Sequence, residues 1–197
     1  MAHVGVMGGT FDPIHLGHLV CAEMARDACG LDEVLFVVAG NPHFKQGISL
    51  APAKDRLAMV QRAIEGNDAF AVSDREVIRA GITYTVDTLE ELHEEQPDAE
   101  LSFILGADSL LTLSTWKDAA RIAQLARIVC LARPGYRIDE DLLTSLSDQG
   151  FLVEAVRAPL LDISSSDIRA RVRSGKTIRY LVPDGVAGHI RAQGLYR

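Results

Sequence analysis

The sequence predicts an α/β fold, a Rossmann-like doubly wound parallel sheet with helices on both faces. Three observations carry that expectation. Short apolar runs alternate with segments of helical periodicity along the whole chain, the rhythm of βα units feeding a parallel sheet. The runs are mainly apolar and do not alternate with polar residues, as strands buried on both faces do not. Glycine, proline and polar residues gather just after several of these runs, where open α/β sheets hold their ligands.

Each element follows from local chemistry. Residues 4–7 are an apolar strand, and residues 15–29 a helix ended by Gly30. Residues 34–39 read as a buried strand. A helix over 52–65 has Pro52 in its first turn and Gly66 just past its end, the expected punctuation. Residues 70–73 form a strand, and 84–95 a helix with Val86, Leu89 and Leu92 on one stripe. The second half predicts a strand over 101–105, short helices over 109–113 and 116–125, and a strand over 128–132 stopped by Arg133-Pro134-Gly135. A helix over 139–147, a strand over 151–156 and helices over 165–174 and 183–193 complete the chain.

Composition narrows the function. The chain has 197 residues, the size of one domain, with a small helical part from about residue 160. Apolar residues make up 48%, enough for a sizeable core, and no apolar run is long enough for a membrane span. No signal-peptide pattern opens the sequence. A formal charge of −7 argues against a nucleic-acid surface, which needs a footprint of Lys and Arg. A small anionic ligand is still compatible, because it meets only its pocket. Cys21, Cys29 and Cys130 lack metal-type spacing, and an odd number of thiols in apolar contexts predicts a cytoplasmic protein.

The densest chemistry lies in Gly8-Gly9-Thr10-Phe11-Asp12-Pro13-Ile14-His15-Leu16-Gly17-His18. A strand, a glycine turn and paired imidazoles at a helix start can grip phosphate groups, because free N–H groups and the helix dipole favour anions there. Two His three residues apart share a helical face. By itself the pair also fits a zinc site or core imidazoles. A second segment, Ile163-Ser164-Ser165-Ser166-Asp167-Ile168-Arg169, offers hydroxyls at a helix start and a forked guanidinium one turn on.

Together these segments resemble the two signatures of the nucleotidylyltransferase superfamily, His-x-Gly-His and Ile-Ser-Ser-Thr/Ser-x-Ile-Arg. Three further stretches resemble the nicotinate mononucleotide adenylyltransferase family within it: Thr83-Tyr84-Thr85-Val86-Asp87-Thr88-Leu89, Gly106-Ala107-Asp108-Ser109-Leu110 followed by Trp116, and Arg133-Pro134-Gly135-Tyr136. The closing Tyr180-Leu181-Val182-Pro183-Asp184 fits as well. The resemblance implies a single nucleotidylyltransferase domain over 1–197. It implies adenylyl transfer from ATP to nicotinate mononucleotide, giving nicotinate adenine dinucleotide and pyrophosphate in NAD biosynthesis.

In that reaction a phosphate oxygen attacks the α-phosphorus directly and in line, with no covalent intermediate. The attacking group is already an anion, so positioning and electrostatics do the catalysis. By resemblance His15, His18, Lys45 and Arg169 are catalytic. ATP would meet Gly8, Gly9, Thr10, Phe11, His15, His18, Gly106, Asp108, Ser165, Ser166 and Arg169. The mononucleotide would meet Lys45, Tyr84, Thr85, Trp116 and Arg133: Trp116 stacking on the pyridine ring, Thr85 reading its carboxylate, Arg133 holding phosphate. Lys117 departs from the aromatic residue expected beside Trp116. Mg²⁺ would arrive with ATP, held mainly by phosphates and water, so no residue is assigned as a metal ligand. The implied partners are the two small-molecule substrates, with no nucleic acid and no membrane, and the resemblance leaves room for a homo-oligomer.

Overall fold

In the computed structural model, residues 1–41, 50–79, 81–132, 138–159 and 161–197 are described. Six strands form one sheet: β1 (His3–Gly9), β2 (Glu33–Val38), β3 (Phe70–Ser73), β4 (Glu100–Gly106), β5 (Ala126–Ala132) and β6 (Val153–Arg157). Their order is β3-β2-β1-β4-β5-β6, that of dinucleotide-binding sheets, with the reversal at the step from β1 to β4. Strands β1, β4, β5 and β6 run parallel, with Val6 opposite Phe103, Phe103 opposite Ile128 and Ile128 opposite Val153. The fold is Rossmann-like, as the apolar rhythm predicts.

Nine helices occur among the described residues: α1 (Leu16–Cys29), α2 (Ala53–Ile64), α3 (Arg75–Ile78), α4 (Thr85–Glu95), α5 (Ala107–Leu110), α6 (Ala119–Leu125), α7 (Glu140–Asp148), α8 (Ser165–Arg173) and α9 (Asp184–Gln193). The chain divides into two compact units. The first comprises Met1–Gly8, Cys21–Leu35 and Tyr84–Leu160, and the second Gly9–Val20, Phe36–Thr83 and Leu161–Arg197.

The first unit buries Val4, Val6, Phe103, Ile104, Ile128 and Val129 along its strands. Its α4 turns Val86, Leu89 and Leu92 inward, the stripe expected from the sequence, and packs on α6. Fully burying such a side chain contributes about 1.5–3 kcal/mol. In the second unit Ile14, Phe36, Met59, Val60, Ile168, Val186 and Ile190 are buried. There α2 packs on α9, and the Asp55 carboxylate lies 3.1 Å from Nε2 of the buried His189.

Four local differences from the sequence reading have physical reasons. Helix α3 is a single turn, too short for periodicity to reveal. The helix expected over 109–113 instead starts earlier, as α5, and is followed by a 3-10 turn over Leu113–Thr115. The helix expected to start at Trp116 begins at Ala119: Trp116 is extended and Asp118 is left-handed at φ 49°. Strand β6 begins at Val153, two residues after the buried Phe151.

Candidate active site

The loop joining β1 to α1 is built around an aromatic side chain. Phe11 is buried, adopts φ 47°, and turns its ring beneath Gly9. A Cβ on Gly9 would stand 2.6 Å from that ring, so only glycine lets the turn close. The Phe11 ring meets the His18 imidazole edge-on, with centroids 5.2 Å apart.

The two imidazoles stack, with centroids 3.7 Å apart and planes 23° from parallel. The His15 main-chain N–H donates to Nδ1 of His18 at 3.2 Å. That bond fixes the tautomer: Nδ1 is the acceptor, so Nε2 carries the proton and is the donor. Nδ1 of His15 is buried and has no hydrogen-bond partner in the protein. Gly17 seats this ring, since a Cβ there would lie 3.0 Å from the same Nδ1. The first amide of α1 is satisfied separately, Leu16 N–H donating to the Leu181 carbonyl at 3.0 Å.

Burial lowers the His15 pKa from 6.5 to about 4, and burial together with the adjacent His15 lowers that of His18 to about 3. Both rings are neutral near pH 7. The unfolded chain takes up these protons near pH 6.5 and the folded chain only near 4 and below. Their contribution to stability is therefore complete above pH 6.5 and is lost as the pH falls through 4 toward 3. The expected result is a Tm that drops on acidification below pH 6.5, with a shallower slope in His18→Ala. Identical slopes in the two proteins would contradict the assignment.

The serine-led segment closes on the same loop. Ser164 caps α8, accepting from the Asp167 N–H at 3.0 Å, which leaves the next two hydroxyls for other work. Ser165 Oγ donates to the Pro13 carbonyl at 2.9 Å. Arg169 Nη1 donates to the Asp12 carbonyl at 2.7 Å, and Nη2 to Ser166 Oγ at 3.2 Å. The Asp12 carboxylate is buried, with Oδ2 3.8 Å from Nη1 of Arg169. Two segments about 150 residues apart thus meet through side chains on Asp12-Pro13.

One buried cation holds the loop from beneath. Arg56, on α2, is 1% exposed and donates to four main-chain carbonyls: Thr10 at 2.8 Å, Ala39 at 2.6 Å, Gly40 at 3.0 Å and Ala51 at 3.0 Å. Burial lowers its pKa, opposed by the nearby Asp12. Sequence reasoning missed Arg56, although a signal was present. Arg56, Met59 and Val60 lie on the buried face of α2, so a charge occupies a core-facing position. Tyr196 was missed too; its hydroxyl donates to Oδ1 of Asp12 at 2.7 Å.

In the first unit, Gly106 and Asp108 are exposed at the end of β4, where Gly106 is the N-cap of α5. Tyr84 and Thr85 open α4, and both are half-buried. Trp116 is half-buried, its Nε1 donating to Thr112 Oγ1 at 3.3 Å and its ring edge-on to Phe103. Lys117 gains a place: Nζ donates to Asp87 Oδ1 at 2.7 Å and stands 4.6 Å above the Tyr84 ring, tying the Trp116 segment to the first turn of α4. Gly8 is exposed, and Thr10 is half-buried. Lys45 and Arg133 lie outside the described residues.

A parallel sheet of this order with a glycine turn, neutral imidazole donors and a serine-led Arg helix defines a nucleotidyltransferase. The family described as cytidylyltransferase-like matches residues 6–171. A probable nicotinate-nucleotide adenylyltransferase of Corynebacterium kroppenstedtii is 47% identical over 193 residues, covering 98% of this chain and 90% of that protein. One of the same description from Herpetosiphon aurantiacus is 44% identical over 197 residues, covering 100% and 99%. The chain belongs to the nicotinate-nucleotide adenylyltransferase family. The solved Plasmodium falciparum nicotinic acid mononucleotide adenylyltransferase, complexed with NaAD, shares the fold, with a TM-score of 0.79 at 20% identity over 100% of this chain and 98% of that one.

Proposed function

We propose that the protein transfers the adenylyl group of MgATP to nicotinate mononucleotide, releasing pyrophosphate and forming nicotinate adenine dinucleotide for NAD synthesis. Family membership supports the reaction. The observation that supports the site is the joining of the imidazole loop and the α8 serine–arginine segment at Asp12-Pro13.

The mononucleotide phosphate oxygen attacks the α-phosphorus of ATP, a new P–O bond forms, and the bond to the β-phosphate bridge breaks. Negative charge grows on the α-phosphate and on the leaving pyrophosphate. His18, with its proton held on Nε2, donates to an α-phosphate oxygen, and His15 donates to the triphosphate. Neutral donors suit this role, because they need no counter-charge before substrate binds and strengthen as charge develops. Arg169, with Ser165 and Ser166, forks onto phosphate oxygens, while Gly8, Gly9, Thr10 and Phe11 let the nucleotide approach the backbone. Gly106 and Asp108 receive the ATP ribose. Tyr84, Thr85 and Trp116 hold the pyridine ring and its carboxylate, and Lys45 and Arg133 the mononucleotide phosphate.

Magnesium enters with the triphosphate as part of the substrate, bound by phosphate oxygens and water. Among the described residues there is no group of three or more His, Cys, Asp or Glu able to cage a cation, and no described helix is long and apolar enough to cross a membrane. Three cysteines kept as thiols suit a reducing cytoplasm. Incubating purified protein with MgATP and, in turn, nicotinate mononucleotide, its amide and phosphopantetheine should release pyrophosphate fastest with the first. Faster turnover of phosphopantetheine would overturn the acceptor assignment.

A further inference from the structure

The last turn of the chain returns to the phosphate loop. After α9, Gly194 adopts φ 62°, Leu195 N–H donates to the Ile190 carbonyl at 3.0 Å, and Tyr196 follows at φ 64°. A left-handed conformation is costly for a residue with a side chain, and it persists where surrounding contacts hold it. Here it aims the phenol at Asp12, 184 positions away in sequence.

Asp12 has two carboxylate oxygens in different surroundings. Oδ1 accepts from the Tyr196 hydroxyl at 2.7 Å and from the Ala51 N–H at 3.2 Å. Oδ2 is buried without a hydrogen bond, 3.8 Å from Arg169 Nη1, which donates instead to the Asp12 carbonyl at 2.7 Å. To a buried carboxylate, a guanidinium is a stronger donor than a phenol.

We propose that Tyr196 is a positioning residue for adenylyl transfer: by satisfying Asp12 with a neutral donor, it keeps the Arg169 guanidinium from collapsing onto that carboxylate and leaves it for the triphosphate. The proposal rests on the phosphate-binding role given to Arg169 above. The phenol suits the task because burial, then its bond to Asp12, push its pKa upward, so it stays a donor. Without the hydroxyl, Oδ1 keeps only the Ala51 amide, and Arg169 is the donor at hand. Its fork would then serve Asp12, and transition-state charge on phosphate would lose a partner.

A double-mutant cycle tests this. Tyr196→Phe should lower kcat/KM for ATP about tenfold with KM for the mononucleotide unchanged, the size expected for one charge-assisted hydrogen bond. In an Arg169→Ala background the same change should cost less than about twofold, since no guanidinium remains to be misplaced. Equal losses in both backgrounds, or no loss in either, would overturn the proposal. Tyr196→His, which keeps an N–H on the ring, should retain more activity than Tyr196→Phe, and a folded His variant as slow as the Phe variant also overturns it. Melting curves report whether each variant is folded. Wild-type turnover and the Arg169→Ala single variant are measured first: a wild type that makes no dinucleotide, or an Arg169→Ala enzyme at full rate, sinks the parent reading instead.

Discussion

Replacing His18 with alanine should reduce turnover of MgATP and nicotinate mononucleotide about 10²–10³-fold, the cost of removing one preorganised donor from a developing oxyanion. The fall should appear in kcat more than in either KM, because the bond strengthens as charge accumulates on the α-phosphate. His18 is held for this by a specific set of contacts. The His15 amide fixes its tautomer, the His15 ring stacks on one face, and the Phe11 ring closes from the edge. Losing the ring leaves the His15 N–H without its acceptor, but the loop is also anchored by Arg56 and by α8. The loss of stability at neutral pH should therefore stay at about 1–3 kcal/mol, the cost of one unpaired amide, far short of unfolding the chain. Asparagine, which can present an N–H, should recover part of the loss. Steady-state pyrophosphate release with a melting curve checks both statements, and a rate within threefold of wild type would remove His18 from the mechanism.

Arg56→Met carries the largest expected effect on stability. The substitution keeps much of the apolar stem but leaves the carbonyls of Thr10, Ala39, Gly40 and Ala51 without their buried donor. An unsatisfied buried acceptor costs about 1–3 kcal/mol, and four lose their donor at once, offset in part by no longer burying a charge. A net loss of about 3–5 kcal/mol corresponds to a Tm lower by about 6–20 °C in a chain of this size. Asp12 would also lose a neighbouring positive charge, so the loop should loosen as well as the core. Thermal or urea unfolding reads the outcome directly. A shift below about 1 kcal/mol would mean that water replaces the guanidinium at all four carbonyls, and that Arg56 is not the brace described.

The sheet was legible because its strands are dominated by apolar residues, most plainly in β2 and β5, whereas β6 carries Glu154 and Arg157 and is mostly exposed. Val86, Leu89 and Leu92 were equally plain, each a helical turn from the next and all buried. The imidazole pair and the Arg169 segment could be read because their residue types are unusual at their spacing. What escaped was whatever depends on three dimensions. Asp12 lies between the glycine turn and the imidazole pair, yet nothing in the sequence announces that Tyr196 and Arg169 converge on it. Ser164 rather than its two neighbours became the cap, a choice made by one backbone turn. The irregular path at Trp116 was hidden by a left-handed Asp118, and aspartate enters that conformation without a glycine to mark it.

Every acceptor of the Arg56 brace is main chain, and this decides where the protein can be rewritten. Side chains at positions 10, 39 and 51 can be exchanged without removing an acceptor of the brace. Position 40 is closed to such editing, because a methyl group there would collide with the Glu76 carbonyl oxygen.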